Sequence, residues 1–84
     1  MALLHLLLVE DDHLARAQLV AMLTRASISC RGYRDAHEAL HHLRGESFDV
    51  IATDWNLGTF PTDMDGVTFS RTTRELGIRT PILL

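Results

Sequence analysis

Residues 3–9 of this chain, Leu-Leu-His-Leu-Leu-Leu-Val, are almost continuously apolar and stop abruptly at Glu10, Asp11 and Asp12. The run is too short to span a bilayer. It also lacks the basic start and small-residue cleavage site of a secretory signal, and a secretory reading leaves the three acids unexplained. A short segment with apolar residues on both faces suits a central strand of a parallel sheet, covered by helices on either side. That placement constrains the rest of the chain, because parallel neighbours need a crossover between them.

The following residues supply those crossovers. Residues 13–26 carry helical spacing, with Ala15, Leu19, Met22, Leu23 and Ala26 on one face and Asp12 placed as N-cap. Residues 28–33 alternate weakly and read as an edge strand. Asp35 and Glu38 have the spacing of a capping box. Ala36, Ala39, Leu40 and Leu43 then form the inner face of a short helix stopped at Gly45. Residues 48–53 form a third strand ending at Asp54. Residues 55–65 are a loop rich in Gly, Thr, Pro and Asp. Residues 66–76 form a third helix closed by Gly77, and residues 81–84 begin a fourth strand. No repeat interrupts this alternation.

Strand and helix alternating in this way imply a parallel α/β sheet with right-handed crossovers. Ligands of such sheets bind outside the carboxyl ends of the strands, near the point where strand order reverses. Glu10 and Asp11 end the first strand and Asp54 ends the third. If those strands are neighbours, three carboxylates converge on one crevice. Clustered carboxylates raise one another's pKa and cost stability. A hard divalent cation with oxygen ligands removes that cost, and Mg²⁺ takes one or two carboxylates together with water and phosphate oxygens. A carboxylate beside such an ion can attack a phosphoryl group and become an acyl phosphate. The blander reading, helix capping and loop decoration, fits Asp12 better than the joint pattern of Glu10, Asp11 and Asp54.

Composition narrows the classes further. With 84 residues the chain holds one small domain, and 46% hydrophobic residues exclude a disordered one. A net charge of -3 with 8 Lys and Arg gives this segment no basic footprint for nucleic acid. The one cysteine, Cys30, has no partner for an internal disulfide and no metal-ligand spacing, which fits a reducing cytoplasm.

Four ordered motifs resemble the receiver domain of response regulators in two-component signalling. They are Leu6-Leu-Leu-Val-Glu-Asp-Asp12, Phe48-Asp-Val-Ile-Ala-Thr-Asp-Trp-Asn-Leu57, Met64-Asp-Gly66 and Thr80-Pro-Ile-Leu-Leu84. The resemblance runs over essentially the whole chain, residues 1–84. It implies a flavodoxin-like parallel sheet of strand order 2-1-3-4. It makes Asp54 the phosphoacceptor, with Mg²⁺ held by Asp11, by Asp54 and by the backbone carbonyl of Asn56, and by Glu10 mainly through water. Asp12 falls one position beyond the acidic pair and keeps its capping role. The implied partner is a histidine kinase or phosphotransfer protein. The implied chain is a switch and not an enzyme.

Two departures accompany the resemblance. Leu57-Gly58 stands where the family has a Leu/Met-Pro pair, and residues 58–63 lengthen the path to the Asp-Gly turn, overhanging the expected site. The chain also ends where the family continues with a Ser or Thr, a fifth strand bearing a Lys, and two more helices. The expectation is therefore a C-terminally incomplete receiver. Its exposed edge would be covered by further residues of a longer chain, by a dimer or by a partner chain.

Other features carry plainer readings. His37 and His41 lie four apart on a helix, beside His42, but on a solvated face without a third ligand. His13 is explained by the helix start, Trp55 by partial burial and Cys30 by strand packing. A phosphatase of the haloacid dehalogenase type also uses an Asp at a strand end with Mg²⁺, but requires a second Asp where Asn56 stands. A pseudo-receiver, binding a partner without phosphorylation, is the remaining alternative.

Overall fold

The computed structural model describes residues 4–54 and 64–83. In chain order the elements are β1 (His5–Val9), α1 (His13–Arg25), β2 (Ser29–Tyr33), α2 (Ala36–Leu43), β3 (Val50–Thr53), α3 (Gly66–Glu75) and β4 (Ile82–Leu83). All strand pairs are parallel, in the order β2-β1-β3-β4. This is the expected flavodoxin-like order, with the apolar β1 flanked on both sides. Leu7 and Val9 are fully buried there.

The two faces of the sheet are covered differently. Leu7, Val9, Tyr33 and Ile51 pack with Ala36, Ala39, Leu40 and Leu43 of α2 and with Phe69 of α3. Side chains alternate along a strand, so Gly32 faces away from Tyr33. A Cβ added at Gly32 would stand 3.0 Å from Cγ of Arg16 and 3.1 Å from Cγ2 of Val20. Helix α1 therefore lies on the opposite face from α2, close enough to β2 that a Cβ at position 32 would make Arg16 or Val20 give way by a few tenths of an ångström.

That approach corrects the expected face of α1. Ala15, Leu19 and Leu23 are half-buried as predicted, but Arg16 and Val20 join them, while Met22 is 57% exposed and Ala26 is exposed. Contact with Gly32 turns the inner stripe toward Arg16 and Val20. Met22 is left at its margin, and Ala26 is the C-cap beyond the last turn.

Helix ends follow local chemistry. Asp12, Asp35 and Asp65 are the N-caps of α1, α2 and α3, accepting from the N–H groups of Leu14, Glu38 and Thr68. Helices α1 and α3 close with the same pair of bonds. Ser27 and Ile28 donate to Thr24 and Leu23, and Gly77 and Ile78 donate to Arg74 and Thr73. The left-handed position is Gly77 (φ 83°) in one case and Ser27 (φ 63°) in the other. Gly45 does not act as a left-handed stop: Arg44 is the C-cap of α2, and the N–H groups of Gly45 and Glu46 both return to the His42 carbonyl.

Strands are shorter than predicted at their amino ends. Phe48 and Asp49 precede β3 yet still engage β1: Phe48 stacks on the His5 ring at 4.4 Å, the Asp49 N–H donates to the His5 carbonyl at 2.7 Å, and the Asp49 carboxylate accepts from the His5 N–H at 2.7 Å. Ile28 is used to close α1, and the Pro81 carbonyl accepts from Ile51 just before β4. Among the described residues no helix is long and apolar enough to cross a membrane. Replacing Asp35 by Ala removes the 2.8 Å cap to Glu38 N–H. The expected cost is about 1 kcal/mol, read as a lower urea midpoint with an unchanged slope.

Candidate phosphoacceptor site

Val9 is paired with Thr53 across β1 and β3, and Glu10 and Asp54 are the next residues on each strand. The acidic ends of the two strands therefore lie side by side at the carboxyl edge of the sheet. Thr53 is buried beneath, and Asp11 and Asp54 are exposed above it. Glu10 is half-buried. Its N–H extends the β1–β2 ladder to the Tyr33 carbonyl at 2.9 Å, and its Oε1 accepts from the Asp12 N–H at 3.2 Å. The Asp12 carboxylate accepts from Leu14 N–H at 3.2 Å, which assigns Asp12 to capping, as expected.

The electrostatics report the crowding. Burial, above all, pushes the Glu10 carboxyl up, and the charges of Asp11 and Asp54 and a side-chain bond to Asp11 push the same way against the bond from the Asp12 N–H. Asp11 and Asp54 both lie close enough to act on Glu10. They do not form a cage: among the described residues no three His, Cys, Asp or Glu side chains are arranged to hold an ion unaided. Any ion here would draw on water and on other oxygens. The predicted Asn56 carbonyl, Trp55 and the loop 58–63 lie outside the described residues.

A carboxyl raised in the folded state contributes stability that is complete below its ordinary pKa and is lost as pH rises through the raised value. In the absence of divalent cations, Glu10→Gln is therefore expected to melt higher than the parent chain at neutral pH. The difference should close in acid. A constant difference across that range would contradict the electrostatic origin.

Other polar groups among the described residues have local roles. The Asp65 carboxylate is committed to the first turn of α3, where the Thr68 N–H at 2.7 Å holds its pKa down. His37 and His41 are exposed, and the His42 ring stacks on Tyr33 at 4.6 Å. Burial raises the pKa of the half-buried Cys30 thiol, which disfavours the thiolate. Two features were not anticipated. The His5 ring reaches Ser29 and Glu46 at the amino ends of the strands, away from the acids. The Arg16 guanidinium reaches the Glu10 carbonyl at 2.8 Å. Neither could be found by counting spacings, because each bond depends on how two elements dock.

A parallel α/β sheet of order 2-1-3-4, with carboxylates from its first and third strands meeting at the carboxyl edge, defines the class of protein. Comparison with known proteins places it more closely. The model of the response regulator receiver domain matches residues 6–84. The sensor histidine kinase RcsC of Escherichia coli is 30% identical over 79 residues, covering 93% of this chain and 8% of that protein. The chemotaxis response regulator CheY4 of Vibrio cholerae superposes with a TM-score of 0.85 at 29% identity, over 96% of this chain and 66% of that one. A response regulator receiver protein from Pseudomonas putida gives 0.86 at 25% identity, over 98% and 66%. The chain belongs to the response regulator receiver domain family of two-component signalling. It spans about two-thirds of the length of those two receivers and a small part of the kinase.

Proposed function

We propose that the chain is a phosphoacceptor module in the cytoplasm, with Asp54 receiving a phosphoryl group from the phosphohistidine of a histidine kinase or phosphotransfer protein. An Asp54 carboxylate oxygen forms the new bond to phosphorus, the bond from phosphorus to the donor imidazole breaks, and the imidazole leaves. The product is an aspartyl phosphate that shifts a conformational equilibrium; the chain does not turn over a substrate. The family relation to a sensor histidine kinase supports the choice of partner.

The observation that carries this reading is the β1–β3 register, which brings Glu10 and Asp11 beside Asp54. An all-oxygen donor set and mutual repulsion at Glu10 fit a hard divalent cation. Asp11, Asp54 and the Asn56 carbonyl would hold Mg²⁺, with Glu10 acting through water. Bound there, Mg²⁺ neutralises the charge that spreads over the transferring group. Asp12 holds the start of α1 while Asp11 remains in the loop before it. No nucleic acid or membrane contact is assigned to this segment.

Beryllofluoride, a mimic of the acyl phosphate, tests the reading. With Mg²⁺ it should raise the melting temperature more than either component alone, and shift the amides flanking Asp11 and Asp54 most. A chain indifferent to both reagents is a pseudo-receiver.

A further inference from the structure

We propose that Arg16 is a positioning residue for the acidic crevice, fixing the Glu10–Asp11 peptide and through it the Asp11 carboxylate. This rests on the phosphoacceptor reading of the same site and adds to it a group outside the acids. Glu10 is where β1 leaves the sheet. Its N–H still finds Tyr33, but its carbonyl is answered by Nη1 of Arg16, at 2.8 Å and partly buried. A peptide group is planar and rigid, so a bond at the Glu10 carbonyl also fixes the direction of the Asp11 N–H on its other end. The rotations left to Asp11 are then its own.

Arg16 is itself firmly held. Its backbone N–H donates to the Asp12 carbonyl at 2.9 Å, inside the first turn that the Asp12 side chain caps. Its stem crosses β2 at Gly32, where a Cβ would stand 3.0 Å from Cγ and 3.3 Å from Cδ. The second arm of the guanidinium, Nη2, donates to Nδ1 of His13 at 3.1 Å. The Nη1 arm thus ties the end of β1 to α1 across Asp11, and the exposed His13 on the other arm takes no part in that tie. Outer groups of this kind orient metal-binding carboxylates, and losing one costs affinity without removing a ligand.

Titrating the full chain with Mg²⁺ by calorimetry tests this, beside melting curves recorded in a chelator. Arg16→Met and Arg16→Gln, which keep the stem but not the reach, should weaken Mg²⁺ about tenfold. Their metal-free melting should change far less. Arg16→Lys, retaining one donor for Glu10, should recover most of the affinity, and His13→Ala should leave it unchanged. Unaltered Mg²⁺ affinity in either folded variant lacking the cation overturns the role of Arg16. A parent chain that binds no Mg²⁺ overturns the metal reading of the site, and with it this inference.

Discussion

Asp54→Asn is expected to abolish the mass gain that the parent chain shows on incubation with a small phosphodonor and Mg²⁺. The substitution keeps the shape of the side chain but replaces a charged oxygen nucleophile by a neutral amide. Asp54 is exposed at the end of β3, above the buried Thr53, so the fold should tolerate the change within about 0.5 kcal/mol. The effect is then chemical. Asp12→Asn makes the matched control: an amide oxygen can still cap Leu14, and modification should persist. Undiminished labelling of Asp54→Asn would move the phosphoacceptor elsewhere. A parent chain that never gains mass would favour a partner-binding role without phosphorylation.

The second large effect is structural. Phe69 is fully buried in α3, in the cluster built by Leu7, Val9 and Ile51 of the sheet and Leu40 and Leu43 of α2. Phe69→Ala should cost about 3–5 kcal/mol, from lost transfer energy and from the cavity left behind. A domain of this kind has only about 5–15 kcal/mol of stability in total. The variant should therefore unfold at much lower urea, or populate the unfolded state without denaturant. Val67, two residues earlier and 37% exposed, offers the contrast: truncation to Ala there should move the midpoint little. Equal effects at both positions would mean that α3 does not cover the sheet through Phe69.

The two predictions draw on different parts of what could be read in advance. Phe69 was not singled out in the sequence, because the helix 66–76 is weakly periodic, with Thr and Arg filling five of its eleven positions. Its burial depends on α3 settling over β1 and β3. Asp54 is legible only jointly: a carboxylate ending one short apolar strand is ambiguous until Glu10 and Asp11 end another. Asp12 and Asp35 were legible as caps because a cap acts within its own first turn, whereas Asp65 read only as the end of a loop. Gly45 misled, since a glycine permits a left-handed turn without requiring one. Ser27 took such a turn because the bonds closing α1 put it there.

Element types, their order and the acids that terminate strands were determined by the sequence alone, since apolar periodicity and caps act over a few residues. The resemblance of four motifs supplied the strand order that periodicity could not. The tertiary structure alone decided which face α1 presents, that Gly32 admits Arg16, and that this guanidinium reaches Glu10. Those depend on close packing between elements distant in the chain, where a single Cβ or a modest rotation of a helix changes which atoms meet.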